Sequence, residues 1–241
     1  MLICLYPLYL QLITSLSHGL EVMKGGITFL PRNVTFSTYK TLVRGELFMY
    51  MKNTIVYTVV GTTVNLVMSC LCAYPLARKT FSGRKFFTVM VTITLFFSGG
   101  MIPFFIVVKS VGLYKSIWSL ILPSLVNVFN LVILRTAMLG VPDSLEESAQ
   151  LDGAGHLTVL FRIIAPLILP SVAVVSLYYA VSHWNSWFNA MLFIKDRKYY
   201  PLQLILREIL ILSDTDEGFM MSETIQFATI VVATIPILCV Y

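Results

Sequence analysis

Few side chains in this chain are placed to make or break bonds. His18, His156 and His183 stand far apart and suggest no triad with a serine or an acid. No GxxxxGK(S/T), HExxH or GxSxG run occurs, so the chain offers no ATP site, no zincin motif and no nucleophile elbow of its own. Cys4, Cys70, Cys72 and Cys239 lie inside apolar stretches without a CxxC pair, and read as buried thiols acting as small hydrophobes. Asp214, Asp216 and Glu217 are an acidic cluster, but the EF-hand ligand spacing is missing. No metal, no cofactor and no catalytic residue is expected. The chemistry left is recognition, and its residues sit in three places. One is the acid-rich island DSLEESAQLDGAGHLTVLFRIIAPLILP from Asp143 to Pro170. The second is SHWNSWFNAMLF, with Trp184, Asn185, Trp187 and Asn189. The third is the amide pair Asn127 and Asn130.

The elements that must position these groups are apolar. Hydrophobic residues make up 57% of the chain and charged residues 12%, against roughly 25% charged in soluble domains. The composition therefore describes an integral membrane protein. The net charge of +5 comes from Lys and Arg lying mostly outside the apolar runs, with none of the basic–aromatic clustering of a nucleic-acid surface. Six apolar segments stand out: 1–16, 53–77, 86–108, 117–139, 166–187 and 224–241. The middle four reach the ~20 residues a helix needs to cross a bilayer. The first and last are cut short by the chain's ends, which reads as a fragment or an unusual start codon choice. No charged n-region marks the first as a signal peptide. Lipid offers the backbone no partners, so all six segments are expected to be helices. Small residues such as Gly61, Thr62, Ser69, Gly99 and Gly100 allow close helix approach. Gly99-Gly100 followed by Pro103 predicts a break in the third segment.

Within the island, Ser144 followed by Glu147 has the spacing of a capping box behind Pro142. Gly153 and Gly155 end the helix and turn the chain, giving helix, tight turn, helix. Leu145, Ser148, Ala149 and Asp152 share one face at three- and four-residue intervals.

Glu147-Ser148-Ala149, then Gly153, Ile163 and Pro166, resembles the EAA loop of permease subunits of ATP-binding-cassette importers. GGMIPFFIVVKSVGLYKSIWSLILP and SHWNSWFNAMLF are similar to flanking segments of carbohydrate permeases of the maltose-type group, and the likeness runs from about Phe29 to Tyr241. Ser148 stands where the family more often has alanine, and Ala165 where it has leucine; both are small. The resemblance implies an all-α integral membrane protein, a single permease domain over 1–241. It would have six transmembrane helices, with a cytoplasmic coupling helix between the fourth and fifth. The coupling loop would be 143–165, with Glu147 capping and contacting an ATPase, Ser148, Ala149 and Asp152 on the docking face, and Gly153 making the turn. The outer loop would be 195–223, too polar for the membrane and facing a solute-binding protein. The outer stretch 17–50 would pack over the first two spans.

Implied partners are a second permease, two cytoplasmic ABC ATPase subunits, an extracytoplasmic solute-binding protein, membrane lipid and a sugar or oligosaccharide, in the bacterial plasma membrane. Trp184, Asn185 and Trp187 supply the aromatic faces and amides a sugar needs, with Asn127 and Asn130 as further pathway candidates. Orientation also comes from the resemblance. Four basic residues fall between Arg78 and Lys85, but the full tally of Lys and Arg points the other way. The alternative is an ion-coupled secondary transporter, for which the cores of the segments lack the usual acidic residue.

Overall fold

The computed structural model describes residues 2–18, 21–22, 30–44, 47–212 and 219–240. Asp214, Asp216 and Glu217 lie outside the described residues, as do the side chains of Cys4 and Cys239. Every regular element among the described residues is helical. The chain divides into two units, Val56–Trp184 and Met1–Ile55 with Asn185–Tyr241.

The first unit begins within α3, Leu47–Ala77, the one uninterrupted helix long and apolar enough to cross a membrane among the described residues. Pro75 falls in its last turn, where it does little harm. The third apolar segment is two helices, α4 (Arg84–Phe96) and α5 (Met101–Ser110). The chain leaves α4 extended at Phe97 and restarts through Gly100 at φ 81, a left-handed backbone that suits glycine. Pro103 then sits in the first turn of α5, where its missing N–H is harmless. This is the break that Gly99, Gly100 and Pro103 predict.

The continuous fourth and fifth helices expected from hydropathy are not found. The fourth segment opens as two 3-10 turns, Ile117–Leu120 and Leu122–Ser124, before α6 (Val128–Leu139), with a 48° bend between them. Asn127 restarts the helix because its side chain accepts from the Asn130 N–H at 3.2 Å. After α7 (Asp143–Leu151), α8 (His156–Leu167) passes through a π turn at Val159–Ile164. It then meets α9 (Leu169–Trp184) at 91°. Pro170 has no N–H for the Pro166 carbonyl, so the helix stops at Ile168 and begins again with Pro170 in its first turn.

A polar seam joins α3 to α9. Gly61, Asn65 and Ser69 recur every four residues and face Tyr179 and His183. A Cβ on Gly61 would come within 2.6 Å of the His183 ring. Asn65 Nδ2 lies 3.1 Å from His183 Nε2 and donates to the Ser124 carbonyl at 3.0 Å, while Ser69 and Tyr179 share a 2.6 Å hydroxyl bond. The Asn127 N–H donates to the same Tyr179 oxygen at 2.9 Å. The core beside this seam collects Ala73, Leu134, Met138, Val159, Leu160 and Val175, each without exposed surface.

In the second unit, α1 (Leu2–Ser15) packs on α12 (Phe219–Val240), as do α2 (Ser37–Arg44) and α11 (Leu202–Leu212). The helix α10 (Phe188–Phe193) packs on α11. The stretch expected to be a polar outer loop, 195–223, therefore holds a helix whose Leu202 is fully buried. Its start is fixed by the first turns of α3: Asn53 Nδ2 donates to the Lys198 carbonyl at 2.7 Å, and the Leu202 N–H donates to Thr54 Oγ1 at 2.8 Å.

Candidate coupling site

The α7 helix starts at Asp143, directly after Pro142, and no side chain caps it. The capping box expected from Ser144 and Glu147 does not form. Asp143 and Glu146 occupy the first turn instead, where carboxylates complement the free N–H groups. At the other end Gly153 takes φ 85, and the Ala154 N–H reaches back to the Ala149 carbonyl at 2.9 Å. The helix thus stops on a left-handed glycine, as the sequence predicts.

What holds α7 in place is Glu146, the neighbour of the expected Glu147. Its Oε2 lies 2.7 Å from Arg78 Nε at the end of α3, and its Oε1 accepts a short hydrogen bond from the Tyr74 hydroxyl. Gln150 donates to the same Oε1 at 3.2 Å, and His156 Nδ1 lies 3.3 Å from the Tyr74 oxygen. The Arg78 guanidinium also stacks over the Tyr74 ring at 5.2 Å. Asp143 completes the set, 3.5 Å from Arg78 Nη1 and 3.2 Å from Lys79 Nζ. The Arg78 Nε–H is not aimed along the short vector to Glu146, so the contact is a charge pair more than a directed hydrogen bond; Nη2 is buried without a partner. Arg78 is only 8% exposed. Buried and paired in this way, neither charge can be removed alone without leaving the other stranded.

The opposite face is open. Glu147, Ser148, Asp152 and Gly153 are exposed, and so is Leu151, at 89% of its full surface. Leu157 and Phe161 on α8 are exposed as well. Ala149 leaves the expected face and packs on the core under the helix. A cavity of ≈ 720 Å³ lies alongside, lined by Tyr74, Arg78, Glu146, Glu147, Gln150 and His156. The α7 helix is thus held on its inner face and open on its outer one.

The profile of the binding-protein-dependent transport system inner membrane components matches residues 49–241. The chain belongs to this family. It is 40% identical to the polygalacturonan/rhamnogalacturonan transport system permease protein YtcP of Bacillus subtilis, over 100% of this chain and 87% of that protein. It is 27% identical to the arabinooligosaccharides transport system permease protein AraQ of the same species, over 87% of this chain and 76% of the relative. The structure superposes with a TM-score of 0.93 on a bacterial ABC transporter involved in the import of the acidic polysaccharide alginate. That match has 32% identity and covers 100% of this chain and 89% of that one. The relatives are transport permeases, and the fold is that of an ABC importer's membrane subunit. This inner membrane component is thus a bacterial inner-membrane protein, as the sequence resemblance implied.

The other residues singled out in this inner membrane component fall into separate groups. Trp184 is buried at the end of α9 in the first unit. In the second unit Asn185 is exposed and within 3.4 Å of Gln203 Nε2, and the Arg207 guanidinium lies 4.4 Å over the Trp187 ring. Asn127 is spent on capping α6, and Asn130 is buried one turn further on. Arg207 and Gln203 belong to the missed α11 and gave no signal of a role in sequence. Arg78 and Tyr74 could have been noticed as the polar end of an apolar run, but their partner Glu146 lies 72 residues from Tyr74.

Proposed function

We propose that this inner membrane component forms, with a second permease, the path by which an ABC importer moves an oligosaccharide across the membrane, and that loop 143–165 couples it to separate ATPase subunits. Six membrane crossings go with this reading: α4 and α5 together make the third, Ile117–Ser124 with α6 the fourth and α9 the fifth, while α8 stays within the coupling loop. The observation that carries it is the seating of α7: Glu146 fixes its inner face to Arg78 and Tyr74 at the end of α3, while Glu147 and Leu151 face outward. When two ATPase subunits close on ATP, a helix gripped on its outer face is dragged with them. The charge pair passes that displacement to α3, a helix long enough to cross the membrane, so the transmembrane bundle rocks between two arrangements.

The relatives named for pectic polymers and for alginate favour an acidic oligosaccharide. The Arg207–Trp187 stack with Asn185 and Gln203 supplies what such a ligand requires: a flat face for a sugar ring, a cation for a carboxylate, and amides for hydroxyls. The family's dependence on a binding protein supplies the remaining partner, for which the 195–223 region is the expected contact.

The test is purification of the complex in mild detergent, followed by reconstitution. A stoichiometric ATPase and a second permease are expected to accompany the chain. Glu147→Lys or Gly153→Pro is expected to leave the chain in the membrane and abolish binding-protein-stimulated ATP hydrolysis. Normal transport and normal stimulation in either variant would rule out the coupling assignment.

A further inference from the structure

A second cavity opens at the same end of the first unit, and its chemistry differs from that of the coupling site. It measures ≈ 600 Å³ and is lined by Lys79, Arg84, Lys85 and Arg135 together with Phe81 and Thr88. No carboxylate lines it. Lys79 pairs with Asp143, but none of Arg84, Lys85 and Arg135 forms an ion pair with a described carboxylate. Arg135 is drawn to this end of the unit by a 3.0 Å bond from its Nε to the Leu76 carbonyl. Thr88 adds a hydroxyl oxygen that is buried without a partner. Cations gathered without counter-charge repel one another, and an anion placed among them relieves that repulsion while its oxygens satisfy the donors.

The neighbouring surface says which kind of anion. The helix α4 rises from this cavity and buries none of its residues. Phe86, Val89 and Ile93, at i, i+3 and i+7, form an apolar stripe along it, 69%, 58% and 52% exposed. A basic cavity with room for a whole headgroup, followed by a stripe of exposed hydrocarbon, matches a phospholipid, with its headgroup anion first and its acyl chains beyond.

We propose that the cavity between the end of α3, the start of α4 and α6 binds the headgroup phosphate of an anionic phospholipid, with Arg84, Lys85 and Arg135 holding the phosphate oxygens and the Phe86–Val89–Ile93 stripe lying along the acyl chains. The site lies beside the end of α3, and it stands apart from the identity of the transported sugar. It rests only on the chain's being a membrane protein.

The experiment uses the intact transporter with its partner subunits, purified in mild detergent and mixed with dioleoyl phosphatidylglycerol or dioleoyl phosphatidylcholine. Bound lipid is counted by native mass spectrometry. Phosphatidylglycerol is expected to be retained in preference to phosphatidylcholine. Arg84→Gln combined with Lys85→Gln should lower that retention by roughly fivefold for each charge removed. Arg84→Lys with Lys85→Arg, which keeps the charge, should retain the lipid, and inorganic phosphate in excess should fail to displace it. Equal retention of the two lipids, or unchanged phosphatidylglycerol in the double variant, would overturn the proposal. Displacement by phosphate alone would replace it with a free-anion site. Loss of the ATPase with the lipid retained would mark the patch as a protein contact.

Discussion

The coupling site and the basic cavity lie at one end of the same unit, share Lys79, and use their charges in opposite ways. At α7 each cation faces an acid: Arg78 meets Glu146 and Asp143, and Lys79 meets Asp143. Around Arg84, Lys85 and Arg135 no acid lines the space. Charges matched within the chain make a joint, which holds two elements in one geometry and transmits displacement. Charges left unmatched make a receptor, whose missing half must come from outside. On this contrast rest the mechanical role we propose for the first site and the binding role we propose for the second, from residues of the same type a few positions apart.

The strongest way to break the contrast is to strand one half of the joint. Arg78→Ala should destabilise the first unit by about 3–5 kcal/mol, because Glu146 is left enclosed without its cation; a thermal melt of the detergent-solubilised complex would read the loss. Arg84→Ala, by comparison, should leave the melt unchanged or raise it, since it removes repulsion. A smaller effect is expected at the α3–α9 seam, which carries no formal charge. Gly61→Ala places a methyl 2.6 Å from the His183 ring, an overpacking worth about 1–3 kcal/mol, visible in the same melt.

Leu151→Ser sharpens the comparison from the outside. An 89% exposed leucine contributes within about 0.5 kcal/mol to the fold, so stability should hold while the ATPase dissociates more readily during purification. The smallest effect is expected at the exposed pair Asp196 and Lys198, 2.8 Å apart. Hydrogen bonds from Lys198 hold the Asp196 carboxyl below its ordinary value of 3.8, and the same bond holds the Lys198 ammonium above 10.5. The acid's contribution is therefore present above 3.8 and lost only as pH falls below it, and the lysine's is present below 10.5 and lost only above it. Melting curves of Asp196→Asn and the parent should run parallel from about pH 5 to 9.

Much of the helix proposed for coupling, as a helix with its two ends, was legible in sequence because its signals are local. Pro142 and Gly153 bracket α7, and Gly99, Gly100 and Pro103 mark the break between α4 and α5, since each acts through its own backbone. Glu146 was not legible. Nothing nearby distinguishes it from Glu147, and the choice between them is made by Arg78 and Tyr74, which only the fold brings close. The bend at Ile168 was missed for a related reason: Pro166 and Pro170 are tolerated singly in membrane helices, and their joint effect depends on one lost hydrogen bond at one register. The helix α11 hid between KDRKYY and SDTDE, whose charges dominate any window that includes them. Its apolar face became visible only against Tyr50 and Ala233.

The central claim is that Glu146 carries motion between α7 and α3. Its most direct test is the number of sugar molecules imported per ATP hydrolysed, measured in vesicles with the full complex, for the parent and for Glu146→Gln. Glutamine keeps the shape and removes the charge that meets Arg78. The expected result is continued ATP hydrolysis with several-fold less transport per ATP, partly restored when Arg78→Gln is added. An unchanged transport-to-ATP ratio in a complex that still assembles would contradict the claim.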